Sequence, residues 1–346
     1  MVLSALATVG LLRGGFESRF DPEVVKLDQA RNPQIPFRKC DGRPLNEACV
    51  LGAPAGVVKT LIWGDSHALA WAPALDEVFR DKGERALFAN SSACPPMVDA
   101  HNAIKPVCAS QNQAVQDFLL KHPAVETVVL AAYWSTYFKN DGPISATREG
   151  VVLSGVHAAH AALSDSLAWL QQAGRRVVLI GPVPVYERSV PLALALGAAT
   201  SRELLRQSVA EQLSKHAPFF EVAAAAGKSA HFLLANPIDW LCKEGGCAII
   251  ADANPLYRDS HHLSVAGAMA MKPQLTEVLG QLADRRSSDP SKPLSDSAAP
   301  ITVNRHALRA PERAHRIPAQ SLAEVSRSRT RVWHVPLHRL VQRDGR

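Results

Sequence analysis

The sequence predicts an α/β protein with a three-layer α/β/α sandwich built around a five-stranded parallel sheet. Short apolar runs rich in β-branched residues alternate along the chain with segments of helical periodicity. Such runs are typical of strands that are covered by helices on both faces of a sheet. The chain has 346 residues, of which 47% are hydrophobic. It can therefore bury one substantial core and still have residues to spare.

The strands and helices of this sandwich can be placed along the sequence. The strands are predicted at residues 57–63, 85–89, 127–133, 176–181 and 231–235. The helices are predicted at residues 68–82, 111–121, 150–173, 201–226 and 264–283. Five strands joined by crossover helices imply a flavodoxin-like arrangement of the layers.

The segments outside this pattern divide the chain further. Residues 1–13 are apolar and uncharged up to Arg13, about half of the ~20 residues that span a bilayer, and we interpret them as the remnant of a membrane helix or a poor signal sequence. Residues 14–56 are predicted to be a disulfide-containing extension, and residues 57–284 the main domain. Residues 285–346 lack apolar periodicity and are rich in Ser, Pro and Arg, so we expect a disordered basic tail.

The positive charge of the chain is concentrated in that tail. The formal net charge is +6 for the whole chain, +8 for residues 285–346 and therefore −2 for residues 1–284. The main domain is thus not a basic module, and no basic patch interleaved with aromatic residues is found in it. These observations argue against a nucleic-acid partner.

The six cysteines fall into three pairs that are close in sequence. An even number in close pairs indicates disulfides formed in an oxidising compartment. Zinc binding is the alternative, but no pair has the Cys-x-x-Cys spacing common in zinc sites, so we predict no metal. The predicted disulfides are Cys40 with Cys49, Cys94 with Cys108, and Cys242 with Cys247.

The stretch "GDSHA" follows directly on the first predicted strand and opens a helix. In an open parallel sheet, ligands bind at the carboxyl ends of the strands, which is where this stretch places Ser66. The N–H of Ser66 would lie in the first turn of the helix and point at a developing anion. Serine is also a common helix N-cap, so capping alone is the alternative interpretation of Ser66.

A second stretch, "YRDSHHLSVAGA", precedes the last helix and carries Asp259 and His262 three residues apart. At that spacing on a tight turn, a carboxylate can accept the Nδ1 hydrogen of the imidazole and leave Nε2 facing outward. This is the orienting half of a serine triad. The neighbouring His261 is a rival for the base, but the spacing favours His262, and capping or metal ligation by His262 is the alternative.

These two stretches resemble the first and fifth sequence blocks of the SGNH/GDSL hydrolase superfamily. Between them, "SACPPM", "VVLAAYWSTY" and "IDWLCKEGGC" are similar to the SGNH domain that is fused to membrane acyltransferase-3 proteins, the polysaccharide O-acetyltransferases. The resemblance extends from about Gly14 to Gln281 and implies the SGNH hydrolase fold. Two ordered blocks at opposite ends of a five-strand pattern are much more specific than either block alone.

The resemblance assigns roles to the residues that match its blocks. It implies Ser66 as nucleophile, His262 as base and Asp259 as the acid that orients it. Asp65 is expected to be a structural turn residue, and His67 a residue at the helix start or in contact with substrate.

The oxyanion hole is less well defined by the sequence. The family's glycine after the second strand and asparagine after the third have no plain counterparts here, where the chain reads "ANSSACPP" and "YWSTY". The N–H of Ser66 is the firmest predicted donor, and Asn90 and Ser91 are candidate helpers. Trp134 is predicted either to line the pocket or to pack in the core.

The resemblance implies a serine acyl-transfer enzyme, an O-acetyltransferase that modifies a hydroxyl of a cell-surface polysaccharide or glycolipid. In the fused family a membrane acyltransferase domain supplies the acetyl group, ultimately from acetyl-CoA, so we expect that partner in cis or in trans and no cofactor bound directly. The expected location is periplasmic or extracytoplasmic and membrane-associated. A free-standing carbohydrate esterase or deacetylase is one alternative, and a catalytically weak glycan-binding domain is another.

Overall fold

The central sheet has six strands in the order β1-β3-β2-β5-β8-β9, and only β1 is antiparallel to its neighbour. The computed structural model describes residues 17–31, 34–197 and 205–287. Within them the strands are β1 (Cys49–Gly52), β2 (Val58–Gly64), β3 (Arg85–Asn90), β4 (Ala100–Asn102), β5 (Thr127–Ala131), β6 (Ile144–Arg148), β7 (Val151–Ser154), β8 (Arg176–Ile180) and β9 (Phe232–Ala235), followed by the short β10 (Cys242–Lys243), β11 (Gly246–Cys247), β12 (Ile250–Ala251) and β13 (Asn254–Pro255).

Helices cover both faces of this sheet. In chain order they are α1 (Pro22–Gln29), α2 (Ser66–Asp81), α3 (Cys108–Lys121), α4 (Trp134–Tyr137), α5 (Gly155–Gln172), α6 (Val190–Leu196), α7 (Val209–Lys215), α8 (Ala217–Ala226), α9 (Pro237–Leu241), α10 (Val265–Ala270) and α11 (Lys272–Ser287). Among the described residues, none of these helices combines the length and the apolar character that crossing a membrane requires.

The central strands are buried on both faces, as the apolar runs predict. Along β2, Leu61 and Trp63 belong to the core that α3 and α5 cover, whereas Ile62 between them belongs to the core that contains α2 and α11. The same alternation divides β5 and β8 between the two cores. Because successive side chains of a strand point to opposite faces, the two hydrophobic layers fix the register of the sheet.

The α/β fold class and all five predicted parallel strands are confirmed, but the prediction of a five-stranded sheet is incomplete. The sixth strand, β1, lies in the segment predicted as an extension and pairs antiparallel with β3, from Cys49 opposite Phe88 to Gly52 opposite Arg85. A separate antiparallel sheet, β4-β6-β7, was also not predicted. Each of these strands has at most two buried residues, so their periodic signal is weak.

Three of the predicted helices differ from the observed ones for local reasons. The segment predicted as one helix at 150–173 begins with β7, whose Val151 and Val152 pair with β6, and the helix starts only at Gly155, where φ is +55°. The segments predicted as single helices at 201–226 and 264–283 each contain two helices within the described residues, α7 and α8, and α10 and α11. A proline lies near the first turn of α8 and of α11, because proline removes a backbone donor and is tolerated at a helix start. Residues 198–204 lie outside the described residues.

The predicted ends of the chain fall largely outside what the structure describes. Helix α11 continues to Ser287, three residues past the predicted boundary at residue 284. The remainder of the predicted basic tail and the apolar segment at residues 1–13 lie outside the described residues.

All three predicted disulfides are formed. Cys40–Cys49 joins a short 3-10 helix, Arg38–Cys40, to the first residue of β1. Cys94–Cys108 joins the loop after β3 to the first residue of α3, and Cys242–Cys247 crosses the β10-β11 pair. The described residues contain no free cysteine.

Reduction of these disulfides is expected to destabilise the fold, because each one restricts the unfolded chain by closing a short loop. Each should contribute ~2 to 3 kcal/mol to the free energy of unfolding. Thermal unfolding with and without dithiothreitol measures the loss, and mass spectrometry of non-reduced peptides identifies the pairs. Six free thiols in protein isolated from the cell envelope would contradict this prediction.

Candidate active site

Ser66 lies at the carboxyl edge of the sheet, between the central strand β2 and helix α2. Gly64 ends the strand, and a Cβ at this position would come 1.9 Å from the carbonyl oxygen of Ala131 on β5, so only glycine permits this approach. Asp65 is the N-cap of α2 and Ser66 its first residue. The N–H of Ser66 is therefore one of the backbone donors that a helix leaves without an intrahelical partner.

The carboxylate of Asp65 is fully buried beneath Ser66 and holds two segments together. Its Oδ1 accepts the N–H of His67 at 2.8 Å. Its Oδ2 accepts the N–H of Tyr133 at 3.0 Å and the hydroxyl of Tyr137 at 2.8 Å. Burial raises the pKa of Asp65, and these three hydrogen bonds oppose the rise. Asp65 is thus more than the expected turn residue, since it links the start of α2 to the segment after β5.

The second predicted stretch forms a tight turn that aims His262 at Ser66. Oδ1 of Asp259 accepts the backbone N–H groups of His261 at 2.9 Å and His262 at 2.7 Å. Oδ2 of Asp259 lies 2.7 Å from Nδ1 of His262, and Nε2 of His262 lies 2.8 Å from Oγ of Ser66. The structure therefore brings together the three residues that the sequence singled out, although 196 positions separate the serine from the histidine.

A neighbouring segment that contains the buried Tyr186 and Val190 supports this turn. The N–H of Tyr186 donates to the carbonyl of Ser260 at 2.9 Å, and the N–H of Val190 donates to the carbonyl of Asp259 at 3.1 Å. The turn closes on itself through the N–H of Arg258 and the carbonyl of His262 at 3.1 Å. These bonds define the backbone position from which the imidazole reaches Ser66.

The local electrostatics keep Asp259 ionised. Partial burial acts to raise its pKa, but the hydrogen bond and charge of His262 and two backbone N–H groups outweigh that effect, so the pKa lies well below the usual range for aspartate. An ionised Asp259 can hold the Nδ1 hydrogen of His262 and stabilise an imidazolium, leaving Nε2 free to accept a proton from Ser66.

His67 and His261 form a flat pair beside this array. Nε2 of His67 lies 3.1 Å from Nδ1 of His261, the ring planes differ by 6° and the centroids are 5.4 Å apart, so the two rings lie edge to edge in nearly one plane. Tyr133 stacks parallel to both rings, with centroid distances of 4.6 Å to His67 and 4.1 Å to His261, and covers one face of the pair. His261, considered as a rival base, is thus engaged with His67, whereas His262 contacts Ser66.

Burial followed by the charge of His262 lowers the pKa of both members of this pair. The pKa of His67 is well below its usual value, and that of His261 is lowered to about 4. His67 is 4% exposed and its backbone is fixed by Asp65, so it lies in the wall of the site as well as at the helix start. Contact of His67 with substrate stays a prediction.

The candidate helpers for the oxyanion hole are engaged elsewhere. Nδ2 of Asn90 donates to the carbonyls of Gly64 and Asp65, and the N–H of Ser91 donates to the carbonyl of Gly64 at 3.0 Å. Oγ of Ser91 accepts from Nζ of Lys105 at 2.8 Å. These contacts brace the end of β2, and they do not support an oxyanion role for either residue.

Trp134 lies in the core and does not line an open pocket. Its side chain is 1% exposed and packs against Phe219, and its Nε1 donates to the carbonyl of Ile180 at 2.8 Å. Of the two roles considered for Trp134, the structure supports core packing.

A cavity of about 440 Å³ lies next to the site, beyond the ends of β2 and β3. Residues of the loop closed by Cys40–Cys49 form one wall, and residues of α3 form another. Ser66 and His262 do not line it, so this cavity adjoins the hydrogen-bonded array without containing it. The lining residues include Gly42, Leu45, Trp63, Asn90, Gln111 and Val115.

Tyr133 and Tyr137 are site residues that the sequence did not identify. Both occur in the quoted stretch "VVLAAYWSTY", but their bonds to Asp65 are visible only once β5 lies beside β2. The pairing of His67 with His261 likewise depends on two loops that are 194 positions apart. A lone tyrosine or histidine at these positions has no spacing signal that would reveal such contacts.

The fold and the array define a class of protein. A mostly parallel sheet with Ser66 just after its central strand β2, and with the Asp259–His262 turn before the last helices, is the arrangement of the SGNH/GDSL hydrolases. The family model described as the SGNH domain fused to AT3 domains matches residues 36–277. Since the match covers most of the chain, the protein belongs to this family.

Solved structures are similar to this fold at low sequence identity. The periplasmic domain of the lipopolysaccharide acetyltransferase of Salmonella ser. Paratyphi A is 18% identical with a TM-score of 0.50, over 76% of this chain and 99% of that one. A GDSL-like lipase of Bacteroides thetaiotaomicron is 12% identical with a TM-score of 0.36, over 76% of this chain and 98% of that one. A search among curated proteins found no match.

The buried histidines predict how the stability of the fold depends on pH. Burial, followed by the charge of Lys215, lowers the pKa of His216 to about 4, and burial also lowers those of His67 and His261. The unfolded chain therefore binds more protons than the fold between about pH 6.5 and pH 4. The free energy of unfolding should be fully retained above pH 6.5 and fall through this window, by up to about 3 kcal/mol for His216 alone.

Denaturant unfolding at several pH values measures this slope. His216→Asn should flatten it, because the variant removes a buried group that the fold holds neutral, whereas His101→Asn at an exposed position should leave it unchanged. A wild-type protein equally stable at pH 4.5 and pH 7 would contradict the prediction.

Proposed function

We propose that the protein is a serine acyl-transfer enzyme. Ser66 is the nucleophile, His262 is the general base, and Asp259 orients His262 and stabilises its protonated form. The observation that carries the proposal is the continuous array of short contacts, 2.8 Å from Ser66 Oγ to His262 Nε2 and 2.7 Å from His262 Nδ1 to Asp259 Oδ2. Membership of the SGNH family supports it independently.

The array supports a two-step transfer. Oγ of Ser66 attacks the carbonyl carbon of an acyl ester while its proton passes to Nε2 of His262, and Asp259 stabilises the imidazolium. The oxyanion that forms faces the N–H of Ser66 at the start of α2. When the ester bond breaks, His262 returns the proton to the leaving oxygen and Ser66 keeps the acyl group. An acceptor hydroxyl, deprotonated by His262, then takes the acyl group and Ser66 regains a proton.

We further propose that the acyl group is acetyl and that the acceptor is a hydroxyl of a cell-surface polysaccharide or glycolipid. The family is named for fusion to AT3 domains, so a membrane acyltransferase domain, in cis or in trans, would supply the acetyl group. The similar Salmonella domain belongs to a lipopolysaccharide acetyltransferase, which is consistent with such an acceptor. Three disulfides favour an oxidising compartment, and we propose a periplasmic or extracytoplasmic location.

Hydrolysis is the second candidate activity. The Asp259 side chain is 40% exposed, so the array is open to water at the end opposite Ser66, and water is the acceptor that an esterase uses. Without a suitable acceptor, we therefore expect the protein to act as an esterase on small acetyl esters.

Three measurements test the proposal. A fluorophosphonate probe should label the wild type at Ser66, as identified by peptide mass spectrometry, and p-nitrophenyl acetate should be turned over. Adding polysaccharide stripped of its acetyl groups should divert acetyl from water to sugar, seen as a mass increase of the sugar. Absence of both labelling and turnover would favour the glycan-binding alternative, and turnover without transfer would favour the esterase.

A further inference from the structure

Three imidazoles converge beside Ser66, and together they resemble a set of metal ligands. One ring nitrogen from each of His67, His261 and His262 lies within 4.8 Å of the other two. The first two already bring Nε2 and Nδ1 to 3.1 Å. The ring of His262 is tilted by 39° to His67 and by 43° to His261, with centroids at 4.8 and 4.1 Å, so its plane differs from the one that the other two rings share.

These distances are close to what a tetrahedral ion requires. Metal–nitrogen bonds of about 2.0 to 2.1 Å place imidazole nitrogens roughly 3.3 to 3.4 Å apart. The His67–His261 pair is near that spacing, and the nitrogen of His262 would have to approach by up to roughly 1.5 Å. One proton lies between the paired nitrogens of His67 and His261, and ion binding requires it to move to the outer nitrogen of the ring that carries it.

The surroundings hold two of the three ligands in place. The backbone N–H of His67 is bound to Asp65, and that of His261 is bound to Asp259. Tyr133 covers one face of both rings. Ordered ligands lose less conformational entropy on binding, which favours a site at this point.

His262, the third ligand, has the hydrogen-bond partner on its other ring nitrogen that metal-binding histidines usually have. Nδ1 of His262 is bound to the carboxylate of Asp259, which fixes the tautomer and leaves Nε2 as the ligand atom. Oγ of Ser66, 2.8 Å from that nitrogen, or a water molecule can take the fourth position. Imidazole ligands suit Zn²⁺, Cu²⁺ and Ni²⁺, whereas Mg²⁺ and Ca²⁺ require oxygen ligands.

We propose that His67, His261 and His262 form a binding site for Zn²⁺ or a similar transition-metal ion, and that the bound ion switches off acyl transfer. The ion would occupy the Nε2 lone pair that otherwise accepts the proton of Ser66. The binding part of this inference stands on the three imidazoles alone, whereas the inhibition part rests on the proposed function.

Cobalt spectroscopy tests binding without depending on activity. The full chain, freed of metal with a chelator, is titrated with Co²⁺, and the visible absorption of tetrahedral Co²⁺ is recorded before Zn²⁺ is added in competition. We expect one equivalent bound with a Kd in the micromolar range or tighter, weakened at least tenfold in His261→Ala. His261→Gln serves as a second variant that keeps the size and polarity of the side chain, and circular dichroism verifies that each variant is folded.

A matched control removes histidines that also have a metal-binding spacing. His157 and His160 are both exposed and lie three residues apart on α5. The double variant His157→Asn/His160→Asn should bind Co²⁺ as the wild type does. Equal affinity in the wild type and both His261 variants, or loss of binding only in the double variant, would overturn the proposed site.

Ester turnover tests the inhibition part. Zn²⁺ should inhibit the wild type and the double variant, and the half-inhibitory concentration should rise at least tenfold in His261→Ala, measured against that variant's own rate without metal. Mg²⁺ should have no effect. Metal binding in a protein with no turnover would support the site and count against the proposed function, whereas full turnover with the site occupied would overturn the proposed switch.

Discussion

Replacing Ser66 by alanine is expected to lower ester turnover by at least about 1,000-fold while leaving the fold intact, since removal of a nucleophile from a serine triad costs up to about 10⁶-fold in kcat. Ser66 is the first residue of α2, where its hydroxyl contacts Nε2 of His262 and its backbone continues the helix. Losing this hydroxyl removes the nucleophile and creates no cavity in the core. Initial rates with p-nitrophenyl acetate and the thermal unfolding midpoint measure the two effects.

Ser260→Ala is the matched control for this experiment. Ser260 lies in the turn with Asp259 and His262, and it is held there by its backbone carbonyl, which accepts the N–H of Tyr186. Its hydroxyl should therefore be dispensable for turnover. Equal rates for the wild type and Ser66→Ala would refute the nucleophile assignment, and loss of turnover in Ser260→Ala alone would place the chemistry elsewhere in the turn.

Replacing His262 by alanine should cost nearly as much as removing Ser66, because the serine then has no base. Asp259→Asn should be milder, since it leaves the imidazole in place but removes the charge that favours the imidazolium and disturbs the tautomer. The Nδ1 contact of 2.7 Å and the two backbone N–H groups bound to Oδ1 all depend on this carboxylate. The expected order of kcat is wild type, then Asp259→Asn, then His262→Ala.

The pH profile of kcat provides a second readout for this pair. In the wild type, the pKa of Asp259 lies well below the usual range, so its protonation should not reduce turnover in mildly acidic buffer. If His262→Ala kept wild-type turnover while His261→Ala lost it at every pH, the choice of His262 as the base would be wrong.

The sequence alone predicts a strand or helix where apolar residues recur at a regular spacing. It predicts a contact where both partners lie in one short stretch. The strands β2, β5 and β8 were found because they are buried on both faces and therefore apolar throughout. The Asp259–His262 turn was found because both partners lie within four residues. The edge strand β1 and the hairpin β6-β7 were missed because one of their faces is largely exposed, which leaves the apolar pattern short and irregular.

The surroundings of the site could not be predicted because they depend on contacts distant in sequence. The sequence makes Asn90 a candidate helper of the oxyanion hole, whereas in the structure its amide donates to the carbonyls of Gly64 and Asp65 at the end of β2. Tyr137 contacts Asp65 across 72 positions, and His67 contacts His261 across 194. Nothing in the spacing of a single chain indicates that such residues meet before the order of the strands is known.

The nucleophile and the base of the candidate site lie on segments that differ in burial. Ser66 begins helix α2 directly after the central strand β2 and the fully buried Asp65. His262 lies on a half-buried turn whose backbone accepts hydrogen bonds from the N–H groups of Tyr186 and Val190. The turn residues are partly exposed whereas those of the strand are buried, so heat should release the turn before it melts the sheet, since local opening begins where burial is least. Catalytic inactivation and global unfolding would then be separate events, with a nucleophile still in place after its base has moved away.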